Sequence, residues 1–443
     1  MTLAKSRENF LHVLRDEANK VIALSGKWGT GKTHLWKSLQ KSPEGEQVTN
    51  ALYISLFGLR SIHDLRLRIV PELLPSDNGS SGRINAVIKA AKKGFHDYYN
   101  AARALLPAAP TGEQIAFLLA RKWLRERLIV IDDIERKHEN LSIDEILGFI
   151  DDAVQNLDCR VLLILNSDQL KDSDIWETFR ERVIDQEIQL ATTPDDAFTI
   201  ASKLEPSPYE EPLRLAVDAM QLNNIRIIRK IIRAVTRLLQ GREALSAAVL
   251  DRVVPSTALL SAIYYKGLGD GPDFDFVLSY GGPYEPAFAE AARRLDHPEE
   301  PLQDDPEAAN RERWELLMSK LGIHSADEFE LLVIHYLRSG LMDAAAVAKI
   351  VDRYVAEECK IEAGNRLHQF FEDSYWRPDF TRPQMLERAR LLMQDVPLFS
   401  PRQVTQLHDH ARDILGAPDQ ANEIIAAWVT AFATNTASSS SAS

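Results

Sequence analysis

The sequence predicts an α/β fold with a parallel sheet, followed by a helical region. Three observations carry this: five short apolar runs separated by helical periodicity, loss of strand signal after residue 195, and a charge shift near residue 245. Runs such as Val21-Ile-Ala-Leu, Leu128-Ile-Val-Ile and Val161-Leu-Leu-Ile-Leu165, apolar rather than alternating, fit strands buried on both faces, and strand–helix alternation makes such strands parallel. The runs occupy residues 21–25, 51–57, 127–133, 160–166 and 185–190. Ahead of them, Phe10, Leu11 and Leu14 share one face of an amphipathic helix expected over 6–20.

Residues 76–112 interrupt the alternation. They begin with a Gly/Ser-rich breaker, end near Pro107 and Pro110, and carry Lys89, Lys92, Lys93, Arg103, Phe95, Tyr98 and Tyr99 between. This reads as a basic helical insertion. The organisation expected is therefore a core over 1–195, a lid of about three helices over 196–245 and an acidic all-helical region over 246–435. Loops fall at 267–285 and 297–309. The Ser/Ala-rich 436–443 buries nothing and is expected to be disordered.

Composition sets limits. With 443 residues, 45% hydrophobic and 26% charged, the chain matches an ordinary globular protein of two or three domains. No run of roughly 20 apolar residues is free of charge, so no transmembrane helix is expected, and the N-terminus lacks a signal-peptide pattern. Cys159 and Cys359 are too few for a disulfide framework or a cysteine zinc site, and a reducing, cytoplasmic setting is expected. The net charge of −13 lies wholly after residue 245, since residues 1–245 hold 34 basic and 34 acidic side chains. An acidic second half is poorly suited to a phosphate backbone, which favours Lys and Arg.

The strongest chemical signal is Gly26-Lys-Trp-Gly-Thr-Gly-Lys-Thr33, which follows the first strand and precedes a helical pattern. It matches G-x-x-x-x-G-K-[ST], in which glycines let backbone N–H groups curl around phosphate and the helix N-terminus adds its positive end. Gly26, Lys27, Trp28, Gly29, Thr30, Gly31, Lys32, Thr33 and His34 are the candidate nucleotide contacts, with ATP and Mg²⁺ as the implied ligands. Lys32 would reach the β- and γ-phosphates, and Thr33 would offer its hydroxyl to Mg²⁺. The second signal is Leu128-Ile-Val-Ile-Asp-Asp-Ile-Glu-Arg136. Its carboxylates sit at the carboxyl end of a strand, where open α/β sheets bind ligands. Asp132 is the candidate metal ligand and Asp133 the candidate water-activating base, with Glu135 as the alternative base.

Together these motifs resemble the P-loop ATPases with an additional strand, which include the AAA+ and STAND groups. The Gly-x-Trp-Gly-x-Gly-Lys-Thr form, the later Asp-Asp-x-x-Arg, and Tyr53-Ile-Ser-Leu-Phe-Gly58 with Ser61-Ile-His-Asp-Leu look most like the bacterial KAP-type P-loop NTPases. The resemblance covers about residues 1–240. It implies a polar sensor at Asn166, an arginine at Arg182 (or Arg180) reaching a neighbouring subunit's nucleotide, and a lid arginine at Arg226 reaching the γ-phosphate. It also implies a homo-oligomer and a regulatory or antiviral-defence ATPase working with an effector protein. Many KAP proteins carry inserted membrane helices, whereas the 76–112 segment is too charged to span a membrane.

Other signals are weaker. Basic and aromatic residues in 76–112 could bind single-stranded nucleic acid or lie on an anionic membrane surface, but the expected arrangement is an amphipathic helix packed on its own domain with its lysines in water. Phe57 is expected to be buried at a strand end, and His408 and His410 to lie on a surface helix. Nothing in the C-terminal region forms a nucleophile–base pattern.

Overall fold

A computed structural model describes residues 3–42, 48, 50–72, 124–166, 177, 180–281, 306–377 and 379–440. The insertion expected at 76–112 lies outside the described residues. The chain divides into two compact units, Met1–Arg233 with Tyr265–Gly269, and Ala234–Tyr264 with Asp270–Ser443.

The first unit holds one sheet of five parallel strands: β1 Val21–Ser25, β2 Leu52–Ser55, β3 Leu128–Asp132, β4 Arg160–Ile164 and β5 Gln186–Gln189. Their order is β2-β3-β4-β1-β5, so β4 lies between the glycine-loop strand β1 and the acidic strand β3. The register pairs Leu24 with Ile164, Ile164 with Asp132, and Asp132 with Ser55. The residues that follow these positions therefore emerge side by side along one edge of the sheet.

Successive strand residues face opposite ways, which explains why the apolar runs show no alternation. Ala23, Ile54, Ile131, Val161 and Leu163 pack on one face with α3 (Ile62–Glu72) and α4 (Ile143–Leu157), through Leu65, Ile69, Phe149 and Ile150. Ile22, Leu24, Val130, Leu162 and Ile164 pack on the other with α1 (Leu3–Arg15) and α2 (Lys32–Gln40), through Phe10, Leu14, Trp36 and Leu39. α4 starts at a capping box in which Ser142 and Glu145 satisfy each other's backbone N–H. α1 ends earlier than periodicity suggests. Asp16 begins a turn there, its carboxylate accepting from Ala18 N, and Arg160 donates to Leu14, Asp16 and Asn19 carbonyls.

Beyond the sheet run α5 (Pro194–Leu204), α6 (Glu210–Ala219) and α7 (Ile225–Leu238), the three helices expected between 195 and 245. The charge shift marks residue 245, whereas the compact units divide within α7.

The second unit is helical: α8 Ala247–Tyr264, α9 Phe274–Ser279, α10 Pro306–Lys320, α11 Glu328–Ser339, α12 Ala344–Trp376, α13 Arg382–Leu391, α14 Pro401–Asp409 and α15 Pro418–Ser440. By length and composition alone α8 could cross a membrane. Instead it is largely buried, and its Arg252 forms a two-pronged ion pair with the fully buried Glu330 of α11. A partnered buried charge of this kind marks a core helix.

Several expectations are corrected. α9 lies within the loop expected at 267–285, where Asp273 caps it through Phe276 N. α10 begins inside the loop expected at 297–309. α15 reaches Ser440, past the start of the expected tail, because extending a formed helix adds one hydrogen bond per residue ordered. Phe57 is 55% exposed: β2 ends at Ser55 and Leu56 takes the inward position, leaving Phe57 under the Arg136 guanidinium. His410 is buried against Phe370, Phe371 and Tyr375, and burial lowers its pKa.

Candidate nucleotide site

The loop between β1 and α2 has the backbone its glycines allow. Gly29 and Gly31 have φ values of +86° and +91°, a region costly for residues with a Cβ. Gly31 is the left-handed residue from which α2 starts, and Leu35 N donates to its carbonyl.

Lys32, the first residue of α2, is buried. Its Nζ donates to the Gly26 carbonyl (2.8 Å), the Lys27 carbonyl (2.8 Å) and Asn166 Oδ1 (2.7 Å). The Asn166 amide nitrogen in turn donates to Glu135 Oε1. The other Glu135 oxygen, Oε2, is buried with no hydrogen-bond partner among the described residues. Lys32, Asn166 and Glu135 thus form one chain across the carboxyl ends of β1, β4 and β3. Burial raises the Glu135 pKa above its usual value, opposed by the Asn166 hydrogen bond.

Beside this chain, Thr33 Oγ1 donates to Asp132 Oδ2 at 3.0 Å, and the Tyr53 hydroxyl donates to the same oxygen at 2.7 Å. Burial raises the Asp132 pKa, and the nearby Asp133 charge adds to the rise. Burial and the Asp132 hydrogen bond together push the Tyr53 phenol up as well. A hydroxyl and a buried carboxylate in contact at the start of α2 are hard oxygen donors of the kind Mg²⁺ takes. The residues present fit that ion.

Asp133 points elsewhere. It sits at φ +60°, accepts from Ser55 Oγ at 2.7 Å, and approaches Arg136 at 3.8 Å. The turn it initiates, Ile134–Arg136, brings Glu135 back to Asn166.

The remaining sequence-derived residues lie at the periphery. Lys27, Trp28 and His34 are exposed, and burial of part of the ring lowers the His34 pKa. Arg226, on the first turn of α7, lies over the Trp28 ring, 5.3 Å from its centroid. Arg182 is exposed just ahead of the edge strand β5, and Arg180 approaches Glu187 at 3.9 Å. Sequence reasoning passed over Tyr53, Ser55, Thr192 and Asn224. The signal for the first two was their alternate spacing on the strand that turns out to neighbour β3.

The sheet order, the glycine loop between β1 and α2, and the acidic end of β3 define an α/β P-loop NTPase fold with a helical C-terminal region. No family model matches the chain, and no curated protein matches it. Among solved structures it is similar to Cdc6p from Pyrobaculum aerophilum, at 16% identity and a TM-score of 0.38 over 80% of this chain and 94% of that one. It is also similar to the Drosophila ORC bound to DNA, at 13% identity and a TM-score of 0.34 over 76% of this chain and 78% of that one. At these values the likeness says nothing about function.

Asp132→Asn gives a direct test of the metal reading. A carboxylate whose folded pKa is raised contributes stability that is fully present below its unfolded pKa and is lost as pH rises through the folded value. At neutral pH the buried Asp132 charge is therefore a cost that a divalent cation would relieve. In thermal melts the variant is expected to be at least as stable as the native chain without Mg²⁺, and to lack the Mg²⁺-dependent stabilisation that ATP is expected to give the native chain. Its apparent Mg²⁺ affinity should fall by at least the roughly 10–100-fold that loss of an outer-shell partner alone costs.

Proposed function

We propose that this protein binds ATP with Mg²⁺ and hydrolyses it. One observation carries the reading: Lys32, Asn166 and Glu135 are hydrogen-bonded in series beside the Thr33–Asp132 pair, all at the carboxyl edge of the sheet. Lys32 binds the β- and γ-phosphates and offsets their charge. Thr33 and Asp132 hold Mg²⁺, which supplies charge stabilisation for phosphoryl transfer. Glu135 orients the attacking water and takes its proton, and Asn166 fixes the carboxylate in place. Asp133, engaged with Ser55 and Arg136, supports the turn that carries Glu135.

A base must be deprotonated to act. Because burial raises the Glu135 pKa, the acid limb of turnover should lie above the ordinary carboxylate range. Asn166→Ala, which removes one of the hydrogen bonds opposing that rise, should move the limb further up. ATP turnover by the purified chain, alone and with DNA or RNA, tests the activity and the nucleic-acid alternative together.

The resemblance extends the proposal to a homo-oligomer in which Arg182 completes a neighbour's site, and to a bacterial regulatory or antiviral-defence ATPase acting with an effector. The exposure of Arg182 beside an edge strand supports this. Arg182→Ala should keep ATP affinity and lose turnover, by the roughly 10³-fold or more that an arginine finger contributes. Mixing it with Lys32→Ala subunits should restore part of the activity. Full turnover by a protein that stays monomeric with ATP would rule the shared site out.

A further inference from the structure

We infer that Thr192, Asn224 and Ile225 form an outer clamp that sets the shape of the phosphate loop, with Thr192 and Asn224 as positioning residues for nucleotide binding. The proposal rests on the ATP-site reading given above.

Three consecutive loop carbonyls are held from outside. Asn224 Nδ2 donates to the Trp28 carbonyl at 3.1 Å, Ile225 N to the Gly29 carbonyl at 3.0 Å, and Thr192 Oγ1 to the Thr30 carbonyl at 2.8 Å. In a trans peptide the C=O and the next N–H point in opposite directions across one plane. Holding the carbonyls of Trp28, Gly29 and Thr30 outward therefore turns the N–H groups of Gly29, Thr30 and Gly31 the other way. Thr30 N accordingly points back at the Lys27 carbonyl, 3.4 Å away, across the turn that Lys32 also spans. These are the N–H groups a phosphate loop uses.

The fit is close as well as polar. A Cβ on Gly29 would collide with the Asn224 amide, and one on Gly31 would lie 2.8 Å from Ile225 Cδ1. Asn224 does two tasks at once: its Oδ1 also caps α7, accepting from Arg226 N and Ile227 N. The start of the lid helix and the backbone of the loop are thus one hydrogen-bonded unit. Thr192 is buried and reaches the loop from the segment after β5.

The two tasks of Asn224 can be separated. Serine is as good a helix cap as asparagine, but it is too short to reach the Trp28 carbonyl. Thr192→Val keeps the shape and removes the donor. Calorimetric titration of the full chain with Mg·ATP, paired with thermal melts and steady-state kinetics, should show Kd and KM raised about 3–10-fold in both Asn224→Ser and Thr192→Val, the range of one or two neutral hydrogen bonds. Their kcat should stay near the native value, and their melting points should fall by no more than the few degrees that one lost hydrogen bond costs. Asn224→Ala should match Asn224→Ser in affinity and fall below it in stability. Native affinity in the folded Ser and Val variants would overturn the clamp, as would affinity lost only in step with melting point, which is what capping alone predicts. A native chain that binds no ATP would instead sink the site reading, and the clamp with it.

Discussion

Glu135→Gln should lower kcat by roughly 10²–10⁴-fold, the usual worth of a positioned general base, while ATP stays bound. The substitution keeps the shape and the contact with Asn166 but removes the group that accepts a proton. Asp133→Asn should do far less, because that carboxylate is engaged by Ser55 and Arg136 and its position is set by the turn at φ +60°. Measuring kcat and ATP affinity for both variants separates the assignments. If Asp133→Asn stops turnover and Glu135→Gln does not, Asp133 is the base and the Lys32–Asn166–Glu135 chain is structural.

The second large effect is expected from Lys32→Ala. Three acceptors converge on one nitrogen at 2.7–2.8 Å, an arrangement suited to an ammonium with three donors. Without it, the phosphates lose a hydrogen-bonded cation worth about 1.5–3 kcal/mol, so affinity should drop at least tenfold, and turnover should vanish. Lys32→Arg should rescue poorly, because a planar fork cannot direct three donors from one nitrogen. Exposed Lys27 should not substitute. Native affinity in a folded Lys32→Ala chain would refute the loop as the binding site.

Much of this was legible in the sequence. Four of the strands stand out as apolar runs, whereas the edge strand β5, Gln186–Gln189, is mostly polar and largely exposed; the glycine loop stands out because its glycines, Lys32 and Thr33 are close together along the chain. The contact that leads the proposed mechanism to prefer Glu135 to Asp133 was not legible. Spacing favours the residue next to Asp132, and only the left-handed turn at Asp133 followed by the tight helical turn reveals that Glu135 returns to the site. Tyr53, Thr192 and Asn224 were hidden for another reason. Their partners lie 79, 162 and 196 residues away, and no local period records a contact set by strand order or by where the start of α7 meets the loop. Phe57 shows the converse error: a large apolar residue at a strand end was assigned to the core, yet strand termination two residues earlier turned it outward.

The most direct test is phosphate release from Mg·ATP by the purified full-length protein, with Lys32→Ala and Glu135→Gln measured alongside. The account predicts steady release by the native chain, none by Lys32→Ala, and release slowed at least roughly 10²-fold by Glu135→Gln even though that variant still binds ATP. Equal release by all three, or a native chain that binds ATP and never releases phosphate, would contradict it.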